Sequence, residues 1–391
     1  MIRIVSAGVL FALATGPFAI DRAVMRADVA KLERSRVVAA ADAYLKEAPV
    51  TITASHSDRS AGGLHDFFSE GDYWWPDPAN PNGPYIRKDG QSNPANFVEH
   101  RRAMVRLSVQ VPALAAAWLA TRNDRYAAHA RRHLRAWFVD EATRMNPSLQ
   151  YAQAIHGVTT GRGTGIIDTL HLVEVARAVE VLHTGRAMPD AEFKQVSGWF
   201  AEYVRWLTTH PNSLEERDTK NNHATTWVLQ VAAFASVTGD RSQLDDMRWR
   251  YKEILLPGQM GPDGSFPQEI ARTKPYSYSL FNLEAMAGIC QVLSTPADNL
   301  WAFELPDGRG MKRALAFMTP FIRDKKSWLH PPDVEYDAEW PMRQSSLLFG
   351  ALAFDQPDLF SLWKTLKADS QVEEVVRNFF LRQPLLWIDE R

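Results

Sequence analysis

The feature that most constrains this chain is a helical period that returns in window after window, with almost no strand alternation between. Apolar residues recur three and four apart at Leu107, Val111, Leu114, Ala115 and Trp118. The same spacing returns at Ile167, Leu170, Val173, Val175, Ala176 and Val179, at Trp227, Val231, Phe234 and Ala235, and at Leu283, Met286, Ala287 and Cys290. Such spacing lines one face of an α-helix with apolar groups. Turn signals separate the windows: Asn123-Asp124, Pro189-Asp190, Pro211-Asn212, Gly239-Asp240 and Pro262-Asp263-Gly264. The pattern predicts roughly a dozen helices of about 10 to 20 residues. Amphipathic hairpins in series bury their apolar stripes on one another, so residues 21–391 are expected to form one all-α domain of stacked antiparallel hairpins.

Two stretches break the period. Residues 55–98 hold Pro76, Pro78, Pro81, Pro84 and Pro94 among many Gly, Asn and Asp, and residues 141–165 end in Gly161-Arg162-Gly163-Thr164-Gly165. Long irregular loops are uncommon in compact domains and tend to be lids or binding loops.

At the start, Arg3 precedes an uncharged, mostly apolar run from Ile4 to Ile20. It reads as a secretory leader over residues 1–20, with a cleavage zone around Thr15 to Ala19. The run is short for a membrane span. The expectation is export to the periplasm or beyond, with no membrane association once the leader is removed.

Charge and cysteine narrow the function. Lys+Arg total 44 against 46 Asp+Glu, for a net charge of −2, which argues against nucleic acid as a partner. Cys290 is the one cysteine, so a disulfide framework and a Cys-based zinc site are excluded. Its apolar neighbours Met286, Ile289 and Leu293 mark it as a core residue. The 13 Trp, 10 Tyr and 19 Phe suit a large core or a groove that stacks on sugars. A monomer or small homo-oligomer is expected.

Four places hold residues with chemistry. Asn221-Asn222-His223 precedes the Trp227 helix; it reads as a helix cap with a surface histidine, or as an amide and an imidazole presented at a helix N-terminus, where anions are favoured. Asp263-Gly264-Ser265-Phe266 leads to Glu269, Arg272, Tyr276 and Tyr278. This is a surface Glu–Arg pair with packing tyrosines, or an arginine for a carboxylate and a tyrosine for proton transfer. His65-Asp66 and Tyr73-Trp74-Trp75-Pro76-Asp77-Pro78, continuing to Tyr85 and Arg87, form a clamped loop or an aromatic platform over a sugar cleft. Gln153, His156, Arg162 and Thr164 sit around glycines that lack dinucleotide or P-loop spacing, so nucleotide binding is rejected.

Asn221-Asn222-His223 with Trp227, Asp263-Gly264-Ser265-Phe266 with Glu269, Arg272 and a downstream tyrosine, and the Tyr73–Pro78 loop together resemble the alginate lyase superfamily, polysaccharide lyase families five and thirty-eight. The resemblance spans roughly residues 55 to 300. It implies an incomplete (α/α) toroid with lid loops, no cofactor, and an Asn–His–Arg–Tyr site that falls on Asn222, His223, Arg272 and Tyr278. In family five the tyrosine lies seven residues after the arginine, where Ser279 stands here; Tyr278 lies six after it, as in the other branch, and Tyr276 is the fallback. Tyr73, Trp74, Trp75, Arg87, Gln153, His156, Arg162, Glu216, Glu269 and Tyr276 are the expected substrate-binding set around it, with Glu216 and Asp218 placed to orient the Asn–His pair.

The implied chemistry suits these residue types. A 1,4-linked polyuronate is cleaved by removing the C5 proton, alpha to a carboxylate, and expelling the C4 oxygen. The site must neutralise that carboxylate and stabilise the enolate-like intermediate; losing one such donor costs about 2.7–4 kcal/mol. Asn222 and Arg272 are donors, His223 a donor or holder of the base, and Tyr278, deprotonated by cationic neighbours, the base. In mannuronate and glucuronate the proton and leaving oxygen share a ring face, so one tyrosine can serve as base and then acid. In guluronate they lie on opposite faces, which calls for a second group such as His223. No metal is required. Two other classes compete: an (α/α)-toroid glycoside hydrolase, which needs two carboxylates roughly 5–5.5 or 6.5–9.5 Å apart from Glu269, Asp333, Glu335, Asp337 or Glu339, and a non-catalytic periplasmic polyuronate binder.

Overall fold

The computed structural model describes residues 22–388, so the expected leader lies outside the described residues. The fifteen α-helices among the described residues are α1 (Arg22–Tyr44), α2 (Glu99–Thr121), α3 (Asp124–Phe138), α4 (Leu172–Thr184), α5 (Asp190–Thr209), α6 (Pro211–Arg217), α7 (Asn222–Thr238), α8 (Arg241–Arg250), α9 (Leu256–Gln259), α10 (Pro267–Ile270), α11 (Pro275–Leu293), α12 (Met311–Arg323), α13 (Ser345–Phe354), α14 (Pro357–Thr365) and α15 (Glu373–Asn378). The count exceeds the expected dozen because α6, α9, α10 and α15 are one- or two-turn pieces.

The turn signals end helices where their chemistry requires. The Asn123 side chain accepts from the Arg125 N–H at the start of α3, and Asp240 accepts from Gln243 N–H at α8. Gly239, at φ 73°, closes α7 in the left-handed region. Proline opens α6, α10, α11 and α14, where its missing N–H costs nothing.

The helices form two layers. α2, α4, α7, α11 and α13 pack in succession as an inner arc, and α3, α5, α8, α12 and α14 cover it from outside. The inner helices are apolar nearly all round: α7 buries Trp227, Val228, Val231 and Phe234, and α11 buries Leu280, Leu283, Met286 and Cys290. Between α13 and α2 the arc is incomplete. That gap is filled by α1 and the final segment, where Pro384–Leu386 packs on α1 and α2. Buried Glu174 of α4 accepts from the backbone N–H groups of Arg382 and Gln383, and Ser345 Oγ donates to the Leu381 carbonyl. This is the incomplete (α/α) toroid expected. α2 is long and apolar enough to cross a membrane by composition, and its place in the inner arc accounts for that character.

The two irregular stretches meet on one face of the toroid. β1 (Phe68–Glu70) pairs in parallel with β4 (Tyr151–Ala154), joining them, and β2 (Trp74–Trp75) pairs antiparallel with β3 (Ile86–Arg87). Strands of two to four residues leave no alternation to read in a sequence. The glycine run is a site of close approach. A Cβ on Gly161 would lie 1.9 Å from the Gln150 carbonyl oxygen, and one on Gly165 2.5 Å from the Ala152 side chain.

Candidate active site

Five elements converge on one cleft of about 280 Å³. The β2–β3 hairpin and the turn before it supply Tyr73, Trp74 and Arg87. β4 supplies Gln153, and the segment between β4 and α4 supplies Arg162 and Thr164. The start of α7 supplies Asn222 and His223, the α10–α11 connection with the first turn of α11 supplies Arg272 and Tyr278, and α15 supplies Glu374, Arg377 and Asn378.

Each donor facing the cleft is held from behind. Asn222 is almost fully buried; its backbone N–H donates to Glu269 Oε1 at 2.6 Å and its Nδ2 to Oε2 at 2.5 Å. One Nδ2–H and the amide oxygen remain for the cleft. Burial raises the Glu269 carboxyl above its usual range, while the Asn222 N–H groups oppose that rise. His223 Nδ1 lies 2.6 Å from Glu216 Oε1, so Nδ1–H donates to the carboxylate and Nε2 is left without a protein partner among the described residues. Burial also raises Glu216, with the His223 contact working against it. A carboxylate that grips a histidine fixes its tautomer and ring orientation.

Tyr278 has two partners. Its hydroxyl lies 2.7 Å from the Tyr73 hydroxyl, and the Arg272 guanidinium lies 4.6 Å from its ring centre. Burial pushes its phenol up to about 12, against Arg272 and the Tyr73 hydrogen bond, which both pull it down. The expectation of a tyrosine already deprotonated by its cationic neighbours is therefore corrected: burial outweighs them. Tyr73 moves well above the usual range, by burial first and then by Tyr278; either hydroxyl can donate while both are phenols, and once Tyr278 ionises Tyr73 is the donor. Arg272 in turn gives Nη2 to Asp89 Oδ1 at 2.9 Å and Nε to Oδ2 at 3.3 Å, and Thr273 Oγ1 donates to the same Asp89 at 3.0 Å. These contacts hold the Asp89 carboxyl down at about 2 despite partial burial.

Of the expected set, Asn222, His223, Arg272, Tyr278, Tyr73, Trp74, Arg87, Gln153 and Arg162 share the cleft. Five others do not line it. Glu216 and Glu269 sit behind His223 and Asn222, too buried to meet a substrate. Trp75 alternates to the far side of its strand, with its indole N–H on the Gln91 carbonyl and Lys88 over its ring. His156 packs against Tyr85 at the edge of a different depression. Tyr276 is fully buried; its hydroxyl donates to the Phe321 carbonyl and its ring meets Trp328, so it is no fallback base.

The acids offered for a hydrolase pair are committed elsewhere. Asp333 accepts from the Tyr276 and Ser277 N–H groups at the start of α11. Glu335 pairs with Lys274, Asp337 with Lys325 and Glu339 with Lys367. The carboxylates in the cleft, Asp72 and Glu374, both pair with Arg377.

Asp72, Asp89 and the α15 residues went unmarked in the sequence. Asp89 stands two residues after Arg87 and beside Gly90, at φ 74°, whose missing Cβ admits the Thr273 side chain; that turn was the available signal. α15 carries no motif and is six residues long.

A family model described as alginate lyase matches residues 51–328. Among solved structures, an alginate lyase from Bacteroides ovatus is 29% identical, with a TM-score of 0.78, covering 94% of this chain and 98% of that one. A variant of alginate lyase A1-III complexed with tetrasaccharide is 16% identical, with a TM-score of 0.58 and 95% of each chain covered, a likeness of fold. No curated protein matches the chain.

Proposed function

Since the chain belongs to the alginate lyase family, and is thus a polysaccharide lyase, we propose that it cleaves a 1,4-linked polyuronate by β-elimination, with Tyr278 as the base and then the acid. The observation that carries the reading is the Tyr278 hydroxyl, held by Tyr73 at 2.7 Å in the same cleft as Asn222 and His223.

The steps follow from the groups present. The uronate at the scission point sets its C5 carboxylate against the Asn222 amide and the His223 Nε2, on the cationic side of the cleft. Hydrogen bonds from Nδ2–H of Asn222, and from Nε2–H of His223 in its protonated form, grow stronger as the carboxylate gains charge, which is the condition for catalysis. Tyr278, as phenolate, takes the C5 proton. The C4–O bond breaks, the C4–C5 double bond forms, and the phenol returns the proton to the departing oxygen. One group does both only when proton and leaving oxygen lie on the same ring face, as in mannuronate and glucuronate. These two differ at C2, remote from the reacting bonds, so contacts from the 55–98 and 141–165 loops must separate them. The leader-like first 20 residues put this work in the periplasm or beyond.

The test is the ultraviolet absorbance of unsaturated uronate ends, followed with polymannuronate, polyguluronate and β-1,4-glucuronan separately. A rise on one of the first or last polymers that Tyr278→Phe abolishes is expected. Reducing ends without absorbance would instead indicate hydrolysis and sink the reading.

A further inference from the structure

Four arginines line the cleft: Arg87, Arg162, Arg272 and Arg377. Three are already neutralised. Arg272 and Arg87 share Asp89, at 2.9 and 2.5 Å, and Arg377 holds Asp72 at 2.8 Å and Glu374 at 3.3 Å. Arg162 alone among them has no carboxylate within ion-pair distance among the described residues. Its Nε donates to the Gln153 carbonyl at 3.1 Å and its Nη2 to Gln153 Oε1 at 2.8 Å; Nη1 makes no hydrogen bond among the described residues.

This guanidinium is held in advance. Gln153 sits at φ 49°, a left-handed conformation that is unfavourable for a residue with a side chain, and in it both its carbonyl and its amide oxygen reach Arg162. The indole of Trp74 lies 5.7 Å from the guanidinium, and the missing Cβ of Gly71 leaves the Nη2 group room at 3.1 Å. Burial lowers the Arg162 pKa from its ordinary value, the mark of a cation kept partly dry without a counter-ion. A neutral clamp around a charged fork suits a guest that brings the negative charge itself.

Arg272 is the opposite case. Its Nη2 and Nε are occupied by Asp89, which Thr273 also holds. A substrate carboxylate would have to evict Asp89 to take the same face.

We propose that the arginines of the cleft have separate roles, with Arg162 binding the carboxylate of the substrate uronate and Arg272, neutralised by Asp89, acting as a positioning residue that holds the Tyr278 ring. The inference rests on the polyuronate reading above and assigns the charge recognition within it. Asp89 then has a defined role. It cancels Arg272 so that the cleft keeps one open guanidinium, and it holds Arg272 against the Tyr278 ring.

The probes are tetramannuronate, tetraglucuronate and their methyl esters, titrated calorimetrically into Tyr278→Phe protein, which binds without turnover. The acid is expected to bind about tenfold or more tightly than the ester, the effect of one charge-assisted bond. Adding Arg162→Gln should remove most of the preference, leaving what Asn222 and His223 supply; Arg162→Lys should restore part of it, and Arg272→Gln should leave it intact. A preference undiminished by Arg162→Gln, or one that Arg272→Gln removes, overturns the assignment. The role of Asp89 is read in the otherwise unaltered enzyme. Asp89→Asn should move the rising limb of the rate profile to lower pH, because Arg272, Tyr73, Glu374 and Asp89 are the groups that act on the Tyr278 phenol and the substitution removes one negative charge. A raised KM with the limb unmoved would make Asp89 a loop staple and overturn its part. If the unaltered enzyme makes no unsaturated ends from any of the three uronans, the polyuronate reading itself has failed. If it does, and Arg162→Gln keeps the acid preference undiminished, only this inference has.

Discussion

Removing the Tyr73 hydroxyl isolates one contribution to the base. Tyr73→Phe keeps the ring and deletes the 2.7 Å hydrogen bond between the two hydroxyls, in which Tyr73 is the donor once Tyr278 is ionised. With its phenol at about 12, Tyr278 is ionised in only about one molecule in ten thousand at pH 8, so forming the base costs about 5 kcal/mol of barrier there. The Tyr73 hydroxyl offsets part of that cost, because it bonds the phenolate more strongly than the phenol. A hydrogen bond to a charged group contributes about 1.5–3 kcal/mol. Its loss should raise the Tyr278 pKa by about one to two units and lower the rate at pH 8 about 10- to 100-fold. The sign is set by the form required: Tyr278 acts deprotonated, so a higher pKa moves the rising limb to higher pH. Initial rates of unsaturated-end formation between about pH 6 and about pH 10 would show both effects, with thermal unfolding as the control for folding. A variant as fast as the parent at pH 8, with the limb in place, would refute the argument that this contact tunes the base.

Three further substitutions address the acids behind the cleft and in the core. Glu216→Gln replaces the charge that grips His223 Nδ1 and should lower kcat with little change in folding, by up to about 2.7–4 kcal/mol of barrier, the cost of losing one oxyanion donor. Glu269→Gln can accept from one of the two Asn222 N–H groups but not both, so it should cost about 1–3 kcal/mol of stability by chemical denaturation and reduce activity as Asn222 loosens. Glu284, fully buried on α11, caps the start of α13 through the Ser345 and Ser346 N–H groups, and burial raises its carboxyl to about 7. A raised carboxyl stabilises the fold below its unfolded pKa and loses that contribution as pH climbs through its folded one. Stability should therefore fall between about pH 4.5 and about pH 7, by about 3 kcal/mol at most, and Glu284→Gln should flatten that slope in melts taken across the range.

The helices were legible because their signal is local: a 3.6-residue period and caps such as Asn123 and Asp240 are complete within a few turns of chain. The Asn222–His223 pair and Arg272–Tyr278 could be found because each lies in a short, ordered motif. What escaped was pairing across the toroid. Glu216 stands close in sequence to the His223 it holds, yet nothing in the spacing says that it points inward, and Glu269 meets Asn222 from 47 residues further along the chain. Asp89 meets Arg272 from a loop more than 180 residues earlier, and Arg377 reaches the cleft from a six-residue helix that the closing of the ring places there. Trp75 and Tyr276 failed for a simpler reason. Each neighbours a residue of the cleft, and strand alternation or helical rotation turns adjacent side chains away from each other.

The acids behind the cleft also explain a cost the fold accepts. Burying Glu216 and Glu269 is unfavourable, and each is raised by that burial. A core built for stability alone would place apolar groups there, since a buried ion pair is often no better than well-packed hydrophobics. Here the acids fix Asn222 and His223 in orientations that point their remaining polar groups at one small volume. Fixed dipoles need no reorganisation when charge develops on the substrate, which is where electrostatic catalysis finds most of its advantage over water. The same logic accounts for Asp72, held by Arg101 and Arg377 well below the usual carboxylate range: it ties the turn before Tyr73 to α2 and α15. The position of Tyr73, and through it the proton affinity of Tyr278, is thus set by a salt-bridge cluster whose members lie in parts of the chain remote from one another.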